Sequence, residues 1–355
     1  MYFFAMREYQ IVIYGSYGYT GQLIVEECKK NRLGVLLSGR NEEKLSEQSQ
    51  KTGYPFETVE IQDQQALEKL LERGYLVIHC GGPFIHTAEQ MLIACMNTQT
   101  HYTDITGEYQ VFEKLAGYDA QSREKGILVM PGIGFDVVPS DCLALFLRNQ
   151  MADATHLELA FATTKGRMSR GTNKTMTEGL GYGGKIRQNG TLITTKMGDD
   201  VKEINFGPFT TKAMCIPWGD ISTAWRSTGI VNIKVYMAVS ERMIRSAQWS
   251  NWLGWFFRLG WVKNYLLKRI NSLPAGPDKE TRDKSRSYLW GKARNPSGSE
   301  IEARLEAPNG YLLTAKSAVL IAKKILTDKV KPGYFTPAQY FGENLILEVK
   351  GTRFF

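Results

Sequence analysis

Ile11-Val12-Ile13-Tyr14-Gly15-Ser16-Tyr17-Gly18-Tyr19-Thr20-Gly21 decides how the rest of the chain is read. A short apolar strand runs into three glycines spaced three apart. Gln22-Leu23-Ile24-Val25-Glu26-Glu27-Cys28 then continues with the spacing of an amphipathic helix. Strand, glycine turn and helix, in that order, are what a dinucleotide site needs. Gly15 permits the tight turn out of the strand, Gly18 lets the backbone approach a pyrophosphate, and Gly21 lets the helix pack close to the sheet. The unpaired amides at the helix start face the phosphate charge. Ser16, Tyr17, Tyr19 and Thr20 fill the turn, so all of 15–21 is expected to border the nucleotide.

The next strand, Val35-Leu36-Leu37-Ser38, is followed by Gly39-Arg40-Asn41. A site selecting NAD normally ends this strand with Asp or Glu, which accepts hydrogen bonds from the ribose hydroxyls. No acid stands at this tip. Ser38, Arg40 and Asn41 are donors, and Arg40 is a permanent cation whose planar fork holds a phosphate. These residues point to the 2′-phosphate of NADP (as NADPH) over NAD. The competing reading leaves Arg40 in solvent beside a helix beginning near Asn41.

At 355 residues the chain exceeds one usual domain. Five cysteines, odd in number and without a Cys-x-x-Cys pair, argue against a disulfide framework or zinc knuckle and for a reducing, cytoplasmic setting. Four histidines with no i, i+4 pair offer no metal-binding helix, so no metal is expected. The net charge of +8 raises nucleic acid and anionic membrane as partners. The basic residues are dispersed and no nucleic-acid-reading module appears, so nucleic acid is not expected. Met1 to Ala5 is apolar but lacks the pattern of a secretory signal.

Through residue 135, short apolar runs alternate with helical stretches, the pattern of a parallel sheet with right-handed crossovers covered on both faces. One helix is expected at Tyr109 to Lys125, and Pro139 to Met151 reads as a connecting helix. Beyond it, Leu157 to Thr163, Thr191 to Lys196, Asn232 to Ala238, Ser287 to Lys292 and Glu300 to Glu306 resemble strands without regular intervening helices. Ser272 to Arg286 reads as an exposed loop, and Thr314 to Leu326 as a late helix. The expected fold is α/β: a doubly wound, Rossmann-type parallel sheet with a second α+β domain on a mixed or antiparallel sheet. The expected division is 1–151, 152–311 and a carboxyl-terminal helix and tail, 312–355, packing back on the first domain.

Trp249, Trp252, Trp255 and Trp261, with Phe256, Phe257, Tyr265, Leu266 and Leu267, stand among Arg245, Arg258, Lys263, Lys268 and Arg269. No uninterrupted run approaches the length needed to span a bilayer. The segment reads as buried helices, as an interfacial membrane contact, as the lining of an apolar substrate pocket or as a dimer interface.

Further segments follow later strands: Cys80-Gly81-Gly82-Pro83-Phe84, Tyr102-Thr103-Asp104-Ile105-Thr106-Gly107-Glu108 and Gly134-Phe135-Asp136. In a doubly wound sheet these lie at the carboxyl ends of strands, where ligands bind. With the glycine turn, Ser38-Gly39-Arg40-Asn41, Ser169-Arg170-Gly171-Thr172, Ile216-Pro217-Trp218-Gly219-Asp220 and Pro308-Asn309-Gly310-Tyr311, they make the chain resemble the saccharopine dehydrogenase-like NADP-binding oxidoreductases, in the branch that includes trans-acting enoyl reductases. The resemblance covers nearly the whole chain. It implies a Rossmann domain, a second α+β domain, NADP(H) chemistry and a homodimer, without implying saccharopine as substrate.

A hydride acceptor needs a proton donor within reach. The chain lacks the Tyr-x-x-x-Lys pair of short-chain dehydrogenases. Tyr102, Asp104, Glu108 and Asp136 are the candidates; the first three have structural alternatives as a core tyrosine, a turn cap and a helix start. Arg170 and Lys174 offer cations for a substrate carboxylate or phosphate, or else a capped helix start with a solvated face. Trp218 lines the substrate cleft or is packing. The chain is expected to reduce a C=C, C=N or C=O bond of a small molecule, acyl or lipid-like. The alternatives are a silent NADP(H)-binding sensor or scaffold and a peripheral membrane protein.

Overall fold

The computed structural model describes residues 7–164 and 168–355. The apolar opening, Met1 to Ala5, lies outside them. The chain forms two compact units, residues 1–138 with 311–340, and residues 139–310 with 341–355.

The first unit is built on a seven-stranded sheet. Its strands are β1 (Tyr9–Tyr14), β2 (Val35–Gly39), β3 (Phe56–Thr58), β4 (Gly74–His79), β5 (His101–Asp104), β6 (Leu128–Met130) and the late strand Gly333–Tyr334. The order is Gly333–Tyr334, β6, β5, β4, β1, β2, β3, and every pairing is parallel. Ile11, Val12 and Ile13 are fully buried, as befits a central strand covered on both faces. Because β1 pairs with both β2 and β4, the chain order reverses at its end. Ligands bind at such a switch point.

The single helix expected at Tyr109–Lys125 is two, Tyr109–Ala116 and Asp119–Glu124, broken after Gly117 closes the first. The late helix Gly310–Thr327 returns to this unit from Tyr311 onward. Ser317 Oγ donates to the Ile133 carbonyl at 2.7 Å, and the Phe135 amide donates to Thr314 Oγ1 at 2.9 Å.

The second unit carries β7 (His156–Thr163), β8 (Gly184–Gln188), β9 (Thr191–Thr195), β10 (Val201–Asn205), β11 (Thr210–Cys215), β12 (Asn232–Ala238), β13 (Arg286–Arg294) and β14 (Glu300–Pro308). The path β10, β11, β12, β7, β13, β14 ends on Arg353–Phe354; β8 pairs with β12 and β9. Only β7 and β12 among these neighbours run parallel, so the sheet is mixed. The expected division at 151 gives way to one at 138/139. Leu143 and Leu147 of the helix Val138–Gln150 lie against Gly291 of β13, and Arg148 donates to the Thr228 carbonyl at 2.9 Å. Residues 341–355 also belong here, so the tail is shared between the units.

Trp249, Trp252, Trp255 and Trp261 are 73, 85, 63 and 65 % exposed, which removes the reading of that segment as buried helices. A helix at Lys279–Lys284 interrupts the stretch expected as loop. Among the described residues no helix is long and apolar enough to cross a membrane.

Candidate nucleotide site

The turn after β1 sits where only glycine fits. Gly15 has φ +78°, and a Cβ there would stand 2.9 Å from the Gly81 amide nitrogen. A Cβ on Gly21 would stand 2.5 Å from the Gly15 carbonyl oxygen, so the helix Tyr19–Lys30 approaches the turn as closely as two backbones can. Gly18 is the N-cap; no side chain caps this helix and no acid stands in its first turn, while Lys29 and Lys30 close its last. The positive end of the helix is thus left facing outward for an anion. Ser16 Oγ donates to Gln48 Oε1 at 2.7 Å, and Gln48 Nε2 donates back to the Ser16 carbonyl at 2.9 Å, locking the turn to the helix Glu42–Thr52. Tyr19 stacks edge-on against Tyr311 at 5.0 Å, and Thr20 stands half-buried in the first turn. These placements fit a diphosphate.

At the tip of β2 the donors divide by task. Ser38 is buried and its hydroxyl donates to the Glu57 carbonyl at 2.8 Å. Asn41 caps the next helix, its Oδ1 accepting from the Lys44 amide at 2.9 Å. Arg40 is exposed. The Tyr17 ring packs on Gly39, and the Lys44 ammonium lies 5.8 Å from that ring's centre. Two cations and an aromatic face therefore gather where an NADP phosphate and its adenosine would lie. Lys44 was not legible in the sequence, where it reads as one more charge on a solvated helix.

The loops after β4, β5 and β6 form a second cluster. Glu108 accepts from the amides of Phe84 at 2.9 Å and Ile85 at 2.8 Å, so its carboxylate holds the turn that carries Cys80, Gly81, Gly82 and Pro83. Asp104 is fully buried; Oδ2 accepts from the Tyr102 hydroxyl at 2.5 Å, and Oδ1 from the amides of Thr106 at 3.0 Å and Gly132 at 2.8 Å. Burial lifts the Asp104 carboxyl to about 6 against these hydrogen bonds, and burial lifts the Tyr102 phenol well above its ordinary range. The Asp136 carboxyl lies against Gly107. Desolvation first, then the charge of Glu108, raise it to about 7.

Beneath the glycine loop His79 is fully buried. Thr87 Oγ1 lies 2.9 Å from both His79 Nε2 and the Gly81 carbonyl. With the Thr87 proton on the carbonyl, Nε2 is the donor and Nδ1 is bare, and Nδ1 has no hydrogen-bond partner among the described residues. Burial lowers this imidazole to about 3, so it stays neutral. Its spacing in the sequence gives no signal of that burial.

The second-unit candidates lie on separate elements. Arg170 and Lys174 are half-buried on the helix Arg170–Glu178, capped by Ser169, and an Arg170 terminal nitrogen donates to the Asn271 carbonyl at 3.3 Å. Trp218 packs at 4.8 Å on Phe161 and joins the cluster of Met214, Ile216 and Met237. No group of side chains able to hold a metal occurs among the described residues.

Residues 11–130 match the family described as Saccharopine dehydrogenase NADP binding domain. A saccharopine dehydrogenase-like oxidoreductase from Mus musculus is 32% identical over 165 residues, 41% of this chain and 38% of that protein. A trans-acting enoyl reductase from Mycobacterium ulcerans is 27% identical over 164 residues, 44% of this chain and 39% of that protein. The chain thus spans less than half the length of these curated relatives in its matches. The solved saccharopine dehydrogenase (L-Glu forming) from Saccharomyces cerevisiae superimposes with a TM-score of 0.67 over 96% of both chains at 12% identity, a likeness of fold. Residues 11–130 thus match a saccharopine dehydrogenase NADP-binding domain, and part of the chain is similar to saccharopine dehydrogenase-like oxidoreductases.

Proposed function

We propose that this protein is an NADPH-dependent reductase acting on a C=C, C=N or C=O bond. The carrying observation is the uncapped helix after Gly15 and Gly18, with Arg40 and Lys44 beside the Tyr17 ring. NADPH, when bound, supplies the hydride. The amides opening the helix Tyr19–Lys30 hold the diphosphate, and Arg40 and Lys44 hold the 2′-phosphate. The Phe84 turn, fixed by Glu108, limits water at the carboxyl end of the sheet.

Of the four sequence candidates, Asp136 is assigned the proton. Burial and the nearby charge of Glu108 raise its carboxyl to about 7, which gives it a transferable proton near neutrality. The family branch that includes enoyl reductases favours a C=C bond of an apolar acyl group.

Calorimetry with NADPH and NADH tests the cofactor reading. Arg40→Ala is expected to weaken NADPH by roughly tenfold or more, the loss of about 1.5–2 kcal/mol of charge-assisted bonding, with NADH unchanged. An unaltered ratio of the two constants refutes it.

A second reading, a silent NADP(H)-binding sensor, is favoured by the structural engagement of Tyr102, Asp104 and Glu108. It predicts tight NADPH uptake with no oxidation across carbonyl, imine and enoyl panels.

A further inference from the structure

Residues 242–277 contain six arginines and lysines and no aspartate or glutamate. They form the helices Glu241–Ser250, Gly254–Phe257 and Gly260–Asn271, of which the first and third bury one apolar side chain each, Ile244 and Val262. Gln248 Nε2 donates to the Gly198 carbonyl at 2.9 Å. Asn251 exchanges two bonds with the Met197 backbone, at 3.0 and 2.8 Å. Polar amides thus face the body of the unit, while Trp249 and Trp252 face out. On the third helix Trp261 and Tyr265 share one exposed face, with Lys268 and Arg269 one turn further on. Four indoles on neighbouring segments are more than three-fifths exposed, with Trp255 and Trp261 both against the Phe256 ring, and exposed apolar surface of this extent marks an interaction face.

The charges decide what covers it. Lys263 is answered by Glu178 at 3.3 Å and Arg245 by Glu241 at 3.5 Å, while Arg242, Arg258, Lys268 and Arg269 are exposed. A second copy docked through the same face would bring two cation-rich patches together, a like-charge juxtaposition that disfavours the contact. Indoles ringed by lysine and arginine match the boundary of headgroup and acyl chain at an anionic lipid surface. We propose that this face docks the protein on anionic phospholipid, with the indoles at that boundary and the cations on the headgroup phosphates.

The full chain is mixed with vesicles of phosphatidylcholine, alone or with about 30 mol% phosphatidylserine. It is expected to sediment with the anionic vesicles, and several-fold less at about 0.5 M salt. Four of the seven tryptophans lie in the patch, so emission should shift to the blue and be quenched by brominated acyl chains. Trp252→Ala with Trp255→Ala should cut partitioning at least about tenfold, with NADPH uptake unchanged. That control separates this proposal from the cofactor reading, and the quenching of wild-type protein needs no variant. Absence of sedimentation at low salt overturns the proposal, as does binding that the double variant leaves intact. A wild-type dimer that the double variant converts to monomer shows a second copy on this face and overturns it equally.

Discussion

The loop after β1 and the loops after β4, β5 and β6 open on the same edge of one parallel sheet, yet they hold their polar groups in opposite conditions. After β1 the helix start is uncapped and Arg40 is exposed at the strand tip with Lys44 nearby. After β4 to β6 the acids are bound into the fold: Glu108 to two amides, Asp104 to a phenol and two amides. The first region is shaped to receive an anion, the second to keep glycine-rich loops in one conformation. A residue at the carboxyl end of a sheet is therefore not a catalyst by position; what its side chain already bonds decides.

The largest expected effect is at the first region's hinge. Gly21→Val places carbon where the Gly15 carbonyl lies 2.5 Å away. It should cost about 3 kcal/mol or more by overpacking and backbone displacement, with NADPH uptake lost in calorimetry. A variant that melts and binds like the wild type breaks the account of the turn. Next comes Glu108→Gln. Its amide offers one acceptor where two are needed, so urea melts should show a loss of about 1–3 kcal/mol, with turnover at saturating NADPH retained. Collapse of turnover without loss of stability would move Glu108 from the second condition to catalysis.

The smallest effect is one of pH. Asp136, raised from its ordinary 3.8 to about 7, keeps its proton in the folded state where the unfolded chain has released it. Its contribution to stability is full below about pH 4 and is lost as pH rises through about 7. Asp136→Asn removes that dependence, so its stability relative to wild type should be higher at pH 8 than at pH 5. A constant difference across that range shows that the carboxyl is not held in its neutral form.

The nucleotide turn was legible because its signal is local: three glycines, a strand and a helix within a single stretch of chain. The parallel sheet was legible through repetition of the same pattern. Less was legible where the partner is distant. Glu108 reads as a helix start because the amides it binds, on Phe84 and Ile85, lie before β5. The helix Val138–Gln150 reads as a connector because its partner is Gly291. β8, β10 and β11 escaped notice since their mixed polar residues become strands only through pairing. The tryptophan spacing shows helices but not which face stays uncovered. Likewise, Lys44 and the Tyr17 ring meet only after the turn and the second helix are folded together.

The return of Gly333–Tyr334 to the edge of β6 has a consequence for biosynthesis. A ribosome that has finished β6 must still make the second unit's central sheet before that edge receives its last strand. At ordinary elongation rates the wait is on the order of ten seconds or more. During translation the nascent first unit exposes an unpaired border that a chaperone, or a neighbouring polysome's product, can reach.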